Sequence, residues 1–189
     1  SITINLNYSL IIPDDRFTGF GWNQKVLILR HWLITPAILE NQDWILYSHK
    51  DINDYPLQKL DYNLSLTIPN SYHVKSNFEQ TPARTALNGF QKIKLSGEEF
   101  VGSTLFIKRI DNFETTQTDH VKILTNLKDS ELRPEIEALI LDRIVYYLED
   151  KFGKFSFDKM LITEEEYHIS PVYGLNQLPS FIRPFPDGF

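Results

Sequence analysis

The chain of 189 residues contains no cysteine, which excludes disulfides and thiolate chemistry. No stretch approaches the roughly 20 apolar residues that a membrane-spanning helix requires. The first residues also lack the basic start and apolar block of a signal peptide. Its 19 basic residues are outnumbered by 25 acidic ones, giving a net charge of −6. The sequence therefore offers no basic stripe for nucleic-acid phosphates, and we predict no nucleic-acid partner.

Several catalytic and nucleotide-binding motifs are missing as well. The sequence has neither the G-x-S-x-G turn of a serine nucleophile nor the glycine-rich loops that hold nucleotide phosphates. Its five histidines occur singly, and none belongs to an H-E-x-x-H zinc pair. Glu164 and His168 have i,i+4 spacing, but the acidic run at residues 164–166 is typical of a solvated loop. We interpret the two as a surface acid near a surface imidazole, with metal binding as the weaker alternative.

Aromatic residues are plentiful, with 13 Phe, 9 Tyr and 3 Trp, and the charge content is ordinary. Such a composition is typical of a folded protein and not of a disordered one. The length allows one large domain or two modest ones, and it is sufficient to bury a real core.

Most of the chain shows the patterns of short β-strands. Strict alternation of apolar and polar residues at 2–12 predicts a strand with one buried face. No cap or polar tail precedes this strand, so we expect its partner strands to belong to residues upstream. Further strands are predicted at residues 25–34, 44–47, 62–68, 72–78, 90–95, 99–110, 113–118 and 121–125. This spacing predicts an antiparallel sheet domain of saddle or sandwich type.

The pattern changes to that of a helix after residue 129. Ser130 is a suitable N-cap, Pro134 suits the first turn, and Gly153 ends the helix. The apolar positions form one broad face, at Ile136, Ile140, Leu141, Ile144, Val145, Tyr147, Leu148 and Phe152. A face this wide predicts an apolar surface through which two copies of the chain form a homodimer, or else a patch left open.

The fold class predicted from these patterns is α+β. A mainly antiparallel β-domain at residues 1–127 is followed by a second domain at residues 128–189, which opens with the helix and a strand at residues 157–162. The boundary is placed where the strand pattern gives way to the helix pattern.

Two groups of residues suggest carbohydrate chemistry, but each has a simpler structural explanation. Paired carboxylates can act as acid and base on glycosides, and the candidates are Asp14, Asp15, Asp51, Asp54 and Asp61. Aspartates are expected at turns for local hydrogen bonding, and we favour that interpretation. An aromatic sugar platform could be formed by Phe17, Phe20, Trp22 and Trp32. In a β-rich domain such side chains more often belong to the core.

The stretch PVYGLNQLPSF at residues 171–181 is the strongest candidate for a binding site. Gly174 allows a turn or a close backbone approach, and Pro179 cannot donate a further ladder hydrogen bond. Between them, Asn176 and Gln177 supply two carboxamides. Such a segment can form a strand edge along a groove that accepts an extended peptide. A tight structural turn is the simpler alternative.

The order of these features resembles the aminopeptidase N family of zinc metallopeptidases, the gluzincins. The segments DYNLSLTIP at 61–69 and YHVKSN at 72–77 resemble its N-terminal β-domain. The helix and the segment GKFSFDKMLI at 153–162 resemble the start of its thermolysin-like catalytic domain. The segment GLNQLP at 174–179 falls at the position of the family's G-x-M-E-N peptide-binding motif. The longer stretch YGLNQLPSF is most similar to divergent peptidase-like proteins of Bacteroidetes-type bacteria.

The resemblance implies that the chain is part of a zinc-dependent aminopeptidase-like hydrolase. The residues it implies for binding a peptide or protein substrate are Tyr173, Gly174, Leu175, Asn176 and Gln177. It places the zinc ligands and the general base beyond Phe189, so the chain itself is expected to hold no catalytic or metal-binding residue and no cofactor, and to be inactive alone. Zinc is expected in the parent protein. The remainder of the parent chain is an implied partner, and the location is implied to be periplasmic or in the cell envelope.

The candidate motif departs from the family pattern. Asn176 stands at the methionine position, Gln177 at the position of the glutamate that holds the substrate's amino terminus, and Leu178 at the asparagine position. A neutral amide supplies no countercharge to an ammonium group, and charge-assisted hydrogen bonds are about twice as strong as neutral ones. This departure favours an alternative function, a non-catalytic peptidase-like module that binds peptides or proteins. A carbohydrate-binding β-domain is a third, weaker hypothesis.

Overall fold

The computed structural model describes residues 3–16, 18–46, 58–82, 84–85, 87–127, 134–154 and 158–169. It divides into two compact units, Ser1–Ile110 and Asp111–Phe189. The predicted α+β class, dominated by antiparallel sheet, is confirmed. Within the described ranges, no helix has the length and apolar character needed to cross a membrane.

The described strands of the first unit form two larger sheets and a small hairpin. The strands are β1 (Gly21–Trp22), β2 (Val26–Arg30), β3 (Leu39–Glu40), β4 (Asp43–Trp44), β5 (Leu60–Pro69), β6 (His73–Lys75), β7 (Glu79–Gln80), β8 (Arg84–Thr85), β9 (Phe90–Phe100) and β10 (Thr104–Lys108). One sheet has the order β1-β2-β10-β6. In the other, β9 pairs with β5 on one side and with β7 and β8 on the other, while β3 and β4 form the hairpin. All of these pairings are antiparallel.

The core of the first unit is built from the inward-facing residues of both sheets. Alternation along β5 places Leu64 opposite Leu95 and Leu66 opposite Ile93 in the β5–β9 register. Phe78 is fully buried, and its ring centroid lies 5.2 Å from that of Tyr62. The buried members of this core cluster are Tyr62, Val74, Phe78, Ile93, Leu95, Leu105 and Ile107. The two sheets therefore share one apolar interior, which fixes the position of β2 and the segments beside it.

The strand predicted at residues 2–12 is wrong for the residues that the structure describes. Residues 3–13 belong to no strand, and their side chains are exposed. Ile11 is 99% exposed. Alternation describes which faces a strand would present, but a strand also requires a partner for its backbone groups. Here Tyr8, midway along the segment, donates from Oη to the Trp32 carbonyl at 3.5 Å. At the end of the segment, the Pro13 carbonyl accepts from Trp22 N at 2.8 Å.

The predicted strand at residues 72–78 is shorter and pairs differently from a simple return strand. Only His73–Lys75 is a strand, and it pairs with β10 in the other sheet, so that Val74 lies opposite Ile107. The antiparallel partner of β5 is β9. The chain therefore crosses from one sheet to the other between β5 and β6, which lets Val74 enter the shared core.

The second unit combines a small mixed sheet with two helices. Its described elements are β11 (Glu114–Gln117), β12 (Lys122–Thr125), α1 (Pro134–Phe152), β13 (Lys159–Ile162) and α2 (Glu164–Ile169). β11 pairs antiparallel with β12, and β12 pairs parallel with β13. Parallel neighbours need a long crossover, and α1 supplies it. Val121, Ile123 and Val145 are buried at the contact between sheet and helix, with Leu141, Met160 and Ile162 packed around them.

Helix α1 spans Pro134–Phe152 and ends before Gly153, as predicted, whereas the predicted cap, Ser130, lies outside the described residues. Gly153 has a φ of 92°, and its N–H donates to the Glu149 carbonyl at 2.9 Å. Of the predicted broad apolar face, only the stripe around Val145 is buried. The remaining members are exposed, namely Ile136, Ile140, Ile144, Tyr147, Leu148 and Phe152. Homodimer formation through this surface stays a prediction.

The two compact units divide between Ile110 and Asp111, and the predicted domain boundary between residues 127 and 128 stays a prediction. Thr125 lies opposite Ile162 in the parallel register of β12 and β13, so β12 belongs with the helix and strand that follow it. β11 is joined to β12 and lies in the same unit. The pairing of β12 with a parallel strand that follows a long helix leaves no local sequence signal.

Candidate functional site

The predicted peptide-binding residues, Tyr173, Gly174, Leu175, Asn176 and Gln177, lie outside the described residues. The last described element before them is α2. The acidic run at residues 164–166, expected to be a loop, forms the first turn of this helix. Acidic side chains are favourable there because the N-terminus of a helix carries partial positive charge.

Two buried polar residues fix the beginning of α2. Thr163 is the N-cap: its Oγ1 accepts a hydrogen bond from Glu166 N at 3.0 Å and donates to Glu166 Oε2 at 3.3 Å. Asn126 follows β12, and its Oδ1 accepts from Glu164 N at 2.8 Å while its Nδ2 donates to Glu165 Oε2 at 3.1 Å. The Thr-x-x-Glu spacing was a readable capping signal that the loop interpretation overlooked. These contacts tie the first turn of α2 to the sheet of the second unit.

The described residues contain no group of three or more His, Cys, Asp or Glu side chains that could hold a metal ion. Glu164 and His168 do share a helix, but the side chain of His168 is outside the described set. His120 lies elsewhere, with Nδ1 at 2.8 Å from Glu149 Oε2, where it joins the turn before β12 to α1.

The described aspartates among those proposed for glycoside chemistry accept hydrogen bonds within the first unit. Asp14 accepts from Arg16 Nε at 2.8 Å, and this hydrogen bond lowers the pKa of the Asp14 carboxyl below its ordinary value. Asp15 accepts from Asn23 Nδ2. Asp61 accepts from Glu99 N at 2.9 Å at the bulge between β5 and β9. The contacts of Asp14 and Asp15 support the turn interpretation, whereas Asp61 lies within β5. Asp51 and Asp54 lie outside the described residues.

The described aromatic residues of the predicted sugar platform do not share one environment. Phe20 is 7% exposed, and the Arg30 guanidinium lies 4.9 Å from its ring centroid. Trp32 packs partly against the core of the first unit. Trp22 is 42% exposed, and Phe17 is outside the described residues. The core interpretation therefore fits Phe20 and Trp32.

A cavity of about 590 Å³ lies within the first unit, between the N-terminal segment and β2. It is lined by residues 8, 10–13, 18, 20–21 and 28–32. Ile28 is buried at its base, and Leu10 and Ile12 lie along the N-terminal segment. The volume falls within the roughly 300–1,000 Å³ that is usual for small-molecule sites. The lining is mainly apolar, as in most such sites.

The polar part of the cavity is concentrated after β2. Arg30 brings a permanent positive charge, and no carboxylate occurs among the described residues that line the cavity. Burial, together with the charge of Arg30, lowers the pKa of His31 below its ordinary value. The indole N–H of Trp32 is buried and has no acceptor among the described residues. The cavity thus combines apolar walls with a positive rim.

Sequence reasoning missed this cavity because its walls come from segments assigned to other roles. Alternation predicts sheet pairing for residues 8–13, and the sequence suggests either a sugar platform or a core position for Trp32. The available signal was Arg30, a charged residue that closes the apolar strand Val26–Arg30.

Searches with protein-family models and against curated proteins found no match to this chain.

Proposed function

We propose that the chain is the β-rich scaffold and substrate-binding strand of an aminopeptidase-N-like protein. In this proposal, residues 173–177 lie along the backbone of a bound peptide. Metal-assisted hydrolysis would belong to the parent protein, which would carry the zinc site. What supports the proposal is the order of sequence motifs together with the succession of elements in the second unit.

The observation that carries the proposal is the parallel pairing of β12 with β13 across α1. The resemblance implies a helix and then a strand at the start of a thermolysin-like domain, and α1 and β13 occupy those sequence positions. Helix α2 then ends at Ile169, shortly before Tyr173, with its first turn fixed by Thr163. A binding strand benefits from such an anchored neighbour because binding groups must be held in place by their surroundings.

A second candidate function is peptide or protein binding without hydrolysis. It is favoured by Gln177, which occupies the position of the family's glutamate. A glutamine can accept a hydrogen bond from the amino terminus of a peptide, but it cannot balance that charge. Amino-terminal specificity would then be weak, and contacts to the peptide backbone would supply most of the affinity.

The proposal is tested by measuring peptide binding to this chain by fluorescence anisotropy. The probes are two peptides of identical sequence labelled at the C-terminus, one with a free amino terminus and one acetylated. Changing Gln177→Glu should tighten binding of the free peptide by about five- to tenfold, because a charge-assisted hydrogen bond replaces a neutral one. The acetylated peptide should bind with unchanged affinity.

The matched control is Asn176→Asp, which adds the same charge one residue away. On an extended strand its side chain points to the opposite face, so it should not produce the preference for a free amino terminus. Equal behaviour of the two variants, or no change in the ratio of affinities, contradicts the assignment of Gln177. If the assignment holds, assay of aminoacyl anilide hydrolysis by the parent protein, with and without added zinc, separates the enzyme from the non-catalytic binder.

A further inference from the structure

We infer that the cavity between residues 8–13 and β2 binds an amphipathic carboxylate, with its hydrocarbon tail against Ile28 and Leu10 and its carboxylate at Arg30. The described residues that line this site all belong to the first unit. The inference goes beyond the proposed function, and its test involves none of residues 173–177.

The tail position follows from the two walls. One wall is the outer face of β2, where Ile28 is buried and lies opposite Phe106 of β10. The other wall is the N-terminal segment, in which Leu10 and Ile12 also line the cavity. Burial of each methylene group tightens binding by about fourfold. Apolar walls on both sides therefore favour a flexible hydrocarbon over a polar ligand.

The head-group position follows from the distribution of charge. Arg30 is the one side chain with a permanent charge among the described residues that line the cavity. Its guanidinium lies over the ring of Phe20, 4.9 Å from the centroid, which holds the cation beside the apolar interior. Guanidinium groups match the geometry of carboxylates and can bind them through two hydrogen bonds. Asp14 and Asp15 do not line the cavity.

The cavity is also open to a ligand from solvent. Leu10 is 53% exposed and Ile11 is 99% exposed, so the segment over the cavity is not covered along its outer side. The described contacts that hold this segment are at Tyr8 and Pro13. A ligand tail can therefore reach Ile28 without displacing the core between the two sheets.

The test is isothermal titration calorimetry of the full chain with decanoate below its micelle concentration. Decanol, with the same chain length and no charge, measures the contribution of the tail. We expect decanoate to bind about tenfold more tightly than decanol, and Arg30→Gln to remove this difference, because a hydrogen bond to a charged group exceeds a neutral one by about that factor. Equal affinity for decanoate and decanol in the unmodified chain overturns the proposed head-group site.

A second variant tests the tail position through an exposed residue that the fold does not need. Leu10→Glu places a negative charge in the cavity wall and should weaken decanoate binding at least tenfold. The matched control is Ile34→Glu, because Ile34 is similarly exposed at 58% but does not line the cavity. Circular dichroism establishes that each variant is folded. If decanoate does not bind, or if both variants weaken it equally, the cavity is not its binding site.

Discussion

Gly21 lies directly against the backbone of Pro13. A Cβ atom at Gly21 would collide with the Pro13 carbonyl oxygen and would lie 3.1 Å from the carbonyl carbon. Gly21 also has a φ of 130°, which residues other than glycine rarely adopt. The neighbouring Trp22 N donates to the same Pro13 oxygen at 2.8 Å. This close approach holds the end of the N-terminal segment against β1, and it thereby shapes one end of the cavity.

Gly21→Ala is therefore expected to destabilise the first unit by about 3 kcal/mol or more, because backbone strain and a backbone collision act together. Urea unfolding followed by tryptophan fluorescence measures the loss. Gly89→Ala is the matched control, since Gly89 has a φ of 79° but open space around the position of a Cβ. Gly89→Ala should lower the free energy of unfolding by about 1 kcal/mol, through backbone strain alone. Equal costs for the two variants would contradict the collision.

Local periodicity predicted a strand correctly where another strand of the fold pairs with it. The alternation at residues 62–68 became β5, because the register with β9 gives Leu64 and Leu66 apolar partners. The same alternation at residues 2–12 did not produce a strand in residues 3–13. A period-2 pattern is thus necessary for a half-buried strand but does not supply its pairing, which depends on distant parts of the chain.

The candidate sites were accessible to sequence reasoning to different degrees. The motif at residues 173–177 can be located from the amino-acid sequence alone, but these residues lie outside the described part of the structure. The cavity has no motif, because it depends on Pro13 meeting Gly21 and on Tyr8 reaching the carbonyl of Trp32. Such contacts join residues that are separated along the chain, and neither periodicity nor spacing encodes them.

The beginning of α2 gives a second prediction. Asn126 is 4% exposed, and its Oδ1 accepts from Glu164 N at 2.8 Å. Asn126→Leu keeps a similar volume but leaves that N–H without its acceptor, which should cost about 1–3 kcal/mol. Thr163→Val should cost about 1 kcal/mol through loss of the cap. Urea unfolding followed by circular dichroism measures both changes.

Thr163→Ser is the control for the cap, because it keeps the hydroxyl that accepts from Glu166 N. Its stability should stay closer to that of the unmodified chain than the stability of Thr163→Val. A serine variant that loses stability, beside a valine variant as stable as the unmodified chain, would show that packing of the Thr163 methyl group, and not capping, fixes the first turn of α2.

His31 gives a third prediction, which concerns pH. Burial, followed by the positive charge of Arg30, lowers the pKa of His31 in the folded protein below its ordinary value of 6.5. The unfolded chain then binds more protons at this site than the folded chain. Stability should consequently fall as the pH drops through about 6.5, and this contribution should level off below the folded pKa. Raising the pH above 6.5 removes the penalty.

The pH effect is isolated by comparing the unmodified chain with His31→Asn between pH 7.5 and 5. Asparagine does not titrate and tolerates the φ of 55° found at this position, so the variant should lose less stability on acidification.

Arg30→Gln should also raise the pKa of His31, measured from the imidazole proton shifts by NMR, because it removes a neighbouring positive charge. Arg30→Lys keeps the charge and should leave that pKa near its original value. A His31 pKa that is unchanged in Arg30→Gln would mean that burial alone lowers it. Identical pH dependence of stability for the unmodified chain and His31→Asn would mean that His31 does not contribute to the loss of stability in acid.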